Sequence, residues 1–196
     1  MTRSELILKV RQRIDEVGTN ETIALNFPID AFLLEAANQT LADAPLSLAN
    51  NIIDFKTAII TIGPDGSGSV KLPLNFIRLV EFKMQGWQRS VFEAHKPTEK
   101  IMLRQRFKSL RGGSVRPIAI INADTLTYYS LPTATAHVIE IAKAQVSISS
   151  LTDFPDLLTD ATAWLTASKV LQVMNEQALA NSSLQQYIQI ISTLKS

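Results

Sequence analysis

The chain has 196 residues, of which 46% are hydrophobic and 19% charged, with a net charge of +1 and no cysteine. This composition excludes a disordered chain and, for want of sulfur, any disulfide framework, thiolate nucleophile or sulfur-ligated zinc. The fold must rest on a hydrophobic core, which a chain of this length can build as one domain.

The opening Met1-Thr2-Arg3-Ser4-Glu5-Leu6 is too charged for a signal peptide, and Lys9 and Arg11 follow closely. No run of about 18 apolar residues occurs, so the expectation is a cytoplasmic product with no membrane partner. Leu6, Ile7, Val10, Ile14 and Val17 recur at helical spacing, Thr2 and Glu5 suit a capping box, and Gly18 stands where the helix would stop. A second helix is predicted over Asp30 to Ala42, between Pro28 and Pro45, with Phe32, Leu33, Ala36, Ala37 and Leu41 on its apolar face. Two short helices so close in sequence would pack as a hairpin.

From Phe55 the pattern becomes that of a sheet. Thr57 to Ile62 is rich in β-branched residues, Gly63 to Gly68 is dense in turn formers, and Val70 and Leu72 follow, which predicts a β-hairpin. Phe76 to Met84 carries apolar residues at both odd and even positions, as a strand covered on both faces does. Gly86 and the segment Trp87 to Phe92 come next. Further strands are predicted at Ile118 to Ile121, Thr125 to Leu131 and His137 to Val146. Pro97 to Gly113 fits either a short helix or an irregular loop, with Ile101, Leu103, Phe107 and Leu110 as its apolar residues.

The last quarter returns to helix. Pro155 suits a first helical position, Asp156 and Asp160 favour the positive helix start, and Leu157, Ala161, Trp164, Leu165, Ser168, Leu171 and Met174 form a stripe. After Asn181-Ser182-Ser183 a final helix is predicted, bearing Leu184, Tyr187, Ile188, Ile191 and Leu194. Such a face docks on its own domain, the commoner fate, or enters a partner's groove. The class that results is α+β: an N-terminal helical hairpin (1–50), a central antiparallel β-sheet or sandwich (51–150) and C-terminal helices (151–196), together one domain.

No catalytic constellation is visible. His95 and His137 lack metal-ligand spacing and helper residues, so they read as a surface and a strand histidine. The Gly63–Ser69 turn lacks the Lys-Ser/Thr ending of a phosphate loop and the helix that should follow one. Asp153, Asp156 and Asp160 are explained by a helix start rather than a metal. A Gly-x-Ser-x-Gly hydrolase motif is absent. The expectation is a protein with no cofactor, no metal and no enzymatic activity.

Charge is the informative feature. Between Lys71 and Arg116 stand eleven Lys and Arg against three acids, a balance of +8, which leaves 8 basic and 15 acidic residues, or −7, elsewhere. A positive face of this kind meets nucleic acid, another protein or another copy of the chain, unless it is simply a solvated basic surface. Its densest part is His95 to Arg111. As a helix it would align Lys100, Arg104, Lys108 and Arg111; extended, it would align Lys100, Arg104, Arg106 and Lys108. Either stripe can touch phosphates without reading sequence, and no aromatic stacking platform accompanies it.

The order of these segments resembles that of the head-to-tail connector proteins of tailed bacteriophages, the adaptor or neck proteins beneath the portal. The similar pieces are the opening helix Thr2 to Arg11, the phrase Leu72-Pro73-Leu74-Asn75-Phe76-Ile77-Arg78-Leu79 followed by Gly86-Trp87, the segment Tyr128-Tyr129-Ser130-Leu131-Pro132, and Pro155-Asp156-Leu157-Leu158 opening an Ala-rich helix. The resemblance implies a structural virion protein, made in the host bacterial cytoplasm. It would form a ring, commonly of twelve copies, that binds the portal and the tail or further neck proteins and passes DNA through its channel. The expected subunit or DNA contacts are then Arg104, Arg106, Lys108 and Arg111, and the expected docking residues Leu184, Tyr187, Ile188 and Ile191. A non-specific nucleic-acid-binding module using 96–116 is the alternative.

Overall fold

The computed structural model describes residues 2–16, 29–63, 67–105, 107–129, 131, 137–152 and 154–196. Val17, Gly18, Pro28, Arg106, Ser130, Pro132, Asp153 and the centre of the 63–69 turn lie outside the described residues, as do the side chains of Asp15, Glu16 and Lys108. The chain divides into two compact units. One is helical and joins the two ends of the chain, residues 1–50 and 147–196; the other is β-rich and spans 51–146.

In the helical unit, α1 (Arg3–Glu16) and α2 (Asp30–Asp43) are followed by a 3-10 turn at Leu46–Leu48, and after the β unit come a 3-10 turn at Asp156–Leu158, α4 (Thr159–Val173) and α5 (Gln177–Lys195). The capping box at the start of α1 forms as the spacing predicts: the Glu5 N–H donates to Thr2 Oγ1 and the Thr2 N–H donates to Glu5 Oε2. These bonds to Thr2 hold the Glu5 carboxyl below the usual carboxylate range.

The expected pairwise hairpin is replaced by packing on a common element. Leu6, Val10 and Ile14 of α1 and Leu33 of α2 meet Ala163, Ala167, Val170 and Leu171 of α4 in one cluster. Three helices, α1, α2 and α5, therefore pack on α4, whose small residues let neighbouring backbones come close. At its start Pro155 is still extended, with φ −61° and ψ 126°, so it precedes the first turn instead of occupying it.

The α4–α5 corner is a Schellman motif, with the Glu176 N–H donating to Leu171 O and the Asn175 N–H to Gln172 O. Asn175 sits in the left-handed region at φ 62°, where asparagine is the best-tolerated residue after glycine. The turn thus falls at Asn175, and Asn181-Ser182-Ser183 lies inside α5 rather than before it. Ser183 faces inward and is buried, so it takes the place of an apolar residue on the buried face instead of ending the helix.

Among its described residues the β unit holds seven strands in two antiparallel sheets: β1 (Ile52–Asp54), β7 (Ile139–Val146) and β4 (Phe76–Met84) in one, in the order β1-β7-β4, and β2 (Ile60–Ile62), β3 (Gly68–Lys71), β6 (Thr125–Tyr128) and β5 (Ala119–Asn122) in the other, in the order β2-β3-β6-β5. Both sheets contribute to one core that contains Val70, Leu79, Phe82, Leu126, Tyr128 and Ala144. The predicted hairpin is β2–β3, and β4 matches its predicted bounds. The mixed parity of its apolar residues has a further cause beyond cover on both faces. The β4–β7 register shifts between Leu79 and Glu81, so Leu79 and Phe82 are both buried although one is odd and the other even. Trp87 to Phe92 adds only one bridge, Val91 to Phe82, rather than a strand. Gly68 pairs with Tyr128 across β3 and β6, and a Cβ there would lie 2.2 Å from the tyrosine ring, so only glycine admits the ring to the core.

Candidate functional site

The excursion between the Val91 bridge and β5 carries the densest positive charge. It is anchored at its start by Ala94–Lys96 running along β5, where the His95 N–H donates to Ala119 O and the Ile121 N–H donates to His95 O. The chain then turns at Glu99. Its carboxylate accepts the Lys96 N–H at 2.8 Å and meets His95 Nδ1 at 2.7 Å, and these contacts, the backbone bond first, hold its carboxyl below the usual range. A short helix, α3 (Lys100–Gln105), and a 3-10 turn at Lys108–Leu110 follow.

The excursion is thus neither a single helix nor a strand, and the expected continuous cationic stripe breaks in two. Lys100 and Arg104 share a face of α3, one turn apart, and both are exposed. Arg111 is turned back: its Nε donates to Gln105 O at 2.6 Å, and its guanidinium lies 5.5 Å from the centre of the Tyr129 ring. Gln105 ties the segment together from inside. It is buried, its Nε2 donates to Ile101 O, and its Oε1 accepts the Gly112 N–H. At Gly112 a Cβ would come within 2.6 Å of Arg116 O, so glycine is required for the return of the chain. The result is a cleft of about 620 Å³ with Arg104, Arg111 and Arg116 on its walls and Ile101, Val115 and Ile118 among its apolar lining.

Around this cleft, three of the four apolar residues that fit either a short helix or an irregular loop are turned out. Leu103, Phe107 and Leu110 are each more than half exposed, and Val115 nearly so. Their spacing resembles that of a buried stripe, and nothing in the sequence marks α3 as too short to bury them. Arg116 lies at the end of the 96–116 stretch, and its convergence with Arg104 depends on the Gly112 turn.

The α5 residues fall differently. Tyr187 and Ile191 are buried and Leu184 is half-buried, in a cluster with Ala36, Ala161 and Leu165 of the same unit. Tyr187 donates its hydroxyl to Asp43 Oδ2 at 2.6 Å, and burial, followed by this acidic neighbour, pushes its phenol well up. The apolar face of α5 is therefore spent on its own unit, which corrects its assignment to a partner for these three residues; Ile188 alone of the four is exposed.

The histidines occupy two environments. His95 is half-buried beside Glu99. His137 lies in coil just before β7, not in the strand, and is buried with Nδ1 2.9 Å from the Tyr128 hydroxyl. Among the described residues no group of three or more His, Cys, Asp or Glu is placed to hold a metal ion, and no helix is long and apolar enough to cross a membrane.

The charge imbalance follows the division into units. The β unit has 13 Lys and Arg against 7 Asp and Glu, and the helical unit has 6 against 11. No protein-family model and no curated protein matches the sequence.

Proposed function

We propose that this protein is a structural subunit of a tailed-bacteriophage neck, a connector that assembles into a ring between the portal and the tail and lets the genome pass. The observation that carries this reading is the excursion 96–116, where exposed Leu103, Phe107 and Leu110 stand among exposed cations on a positively charged β unit. Apolar side chains left in water among arginines are the composition of a surface that is covered in an assembly. A ring of identical subunits needs two different complementary surfaces on each copy, and units of opposite charge supply them. The order of segments supports the same family. In this reading the protein is a virion component with no enzymatic role, and its partners are its own copies, the portal, the tail or further neck proteins and the DNA in the channel.

Native mass spectrometry and negative-stain imaging of the purified protein, alone and with portal, test the proposal. Rings, or capture on the portal, are expected; a monomer that also ignores portal would sink it. The second reading is non-specific binding of nucleic acid through the same cations. It requires a salt-sensitive affinity that collapses when Arg104, Arg106, Lys108 and Arg111 are all replaced by Glu. The exposed apolar residues of the excursion favour a protein surface over phosphates.

A further inference from the structure

We infer that the arginine-walled cleft of one copy receives the Asp156-Leu157 corner of a second copy, an inference that rests on the reading of the 96–116 excursion as a subunit contact. The cleft combines an apolar lining, Ile101, Val115 and Ile118, with Arg104, Arg111 and Arg116. Its complement is an apolar side chain that projects into water beside carboxylates. The helical unit displays one. Leu157 in the 3-10 turn before α4 is 67% exposed, whereas its neighbour Leu158 is fully buried. Asp156 precedes it and is exposed, and the exposed Glu5 carboxylate of α1 lies near enough to interact electrostatically with Asp156.

The corner is held rigidly, because Thr159 Oγ1 donates to Asp156 O at 2.6 Å and the Leu158 N–H donates to Pro155 O. A preformed knob entering a preformed cleft loses little conformational freedom on binding. The apolar side chain provides the burial while the acids meet arginines at the rim, where opposite charge sets orientation and register more than affinity. The donor lies on the helical unit and the acceptor on the β unit, so the contact is heterologous. It propagates from copy to copy and closes into a ring or extends as a filament.

The absence of native cysteine makes the contact directly testable. The double variant Leu157→Cys with Val115→Cys, oxidised at low concentration, is expected to give a ladder of covalent multimers on a denaturing gel, while either single variant gives no ladder. Arg104→Glu with Arg116→Glu is expected to weaken self-association about tenfold or more, and adding Asp156→Lys to that variant should restore part of it. Circular dichroism of each variant verifies that the fold is kept. Wild-type oligomers with no ladder in the double cysteine variant would overturn this pairing and leave the ring standing. A wild-type chain that stays monomeric without a ladder would overturn the pairing, and one that also ignores portal would overturn both. A disulfide closed within one chain, or a cleft that takes up duplex DNA while the protein stays monomeric, would also overturn the pairing.

Discussion

The β unit fills its core with a few large rings, whereas the helical unit brings backbones together over small residues. Phe82 stacks on Phe55 with centroids 6.4 Å apart, meets Trp87 edge-on at 5.8 Å and tilts against Tyr128 at 5.9 Å. In the helical unit the fully buried positions include Ala36, Ala37, Ala161, Ala163, Ala167 and Ala180. Three of its buried hydroxyls bond to main-chain carbonyls: Thr162 to Leu158 O, Thr166 to Thr162 O, and Ser168 to Ala180 O across the α4–α5 pair. Aromatic packing tolerates loss of volume poorly, while alanine-lined packing tolerates gain of volume poorly. The two units should therefore fail under opposite substitutions.

The largest effect is expected from Phe82→Ala, which removes the ring that touches three others. A loss of about 3–5 kcal/mol should appear as a lower urea midpoint for the β unit. A change below about 1 kcal/mol would mean that the four rings do not form one packed cluster. The mirror experiment is Ala167→Leu in α4, where Leu has a good helix propensity but no space. Overpacking should cost about 1–3 kcal/mol, although the same change on an exposed helix face would be nearly neutral. A comparable loss, about 1.5–3 kcal/mol, is expected for Tyr187→Phe, which leaves the ring in place and removes only the hydroxyl bonded to Asp43. If Tyr187→Phe cost as much as Phe82→Ala, polar contacts would rank with aromatic packing and the contrast between the units would fail.

The mildest effect is invisible near neutral pH. Burial pushes the Tyr128 phenol up to about 12, whereas an unfolded tyrosine ionises near 10. The folded state then holds more protons than the unfolded state between these values, so the contribution of Tyr128 is whole below pH ~10, falls as the pH rises toward ~12 and is lost beyond it. Denaturation series across that window should show stability declining with pH, less steeply in Tyr128→Phe. Equal slopes in the two proteins would contradict the burial of the phenol.

Much of the architecture is legible in the residues because local rules and tertiary needs agree. The capping box at Thr2 and Glu5, the paired strands β2 and β3, and β4 fall where their patterns place them. Misreadings occur where a local signal has two outlets. Asn181-Ser182-Ser183 looks like a helix start because serine and asparagine favour caps, yet Ser183 is buried inside α5, and Asn175, with a weaker signal, makes the corner. The candidate site was legible as charge but not as shape. The spacing of Ile101, Leu103, Phe107 and Leu110 suits a short helix as well as an irregular loop; α3 ends at Gln105, and once the helix stops its spacing no longer assigns sides.

Composition and pattern by themselves determined the α+β class, the helical ends around a β-rich middle and the segregation of positive charge into that middle, since all three follow from residue type and near-neighbour spacing. Only the tertiary structure decided that the two chain ends join in one unit around α4, that the α5 stripe is consumed within that unit, and that Arg104 and Arg116 converge on one cleft. These depend on contacts between residues far apart in the chain and on backbone turns such as those at Gly112 and Asn175, which no local repeat encodes.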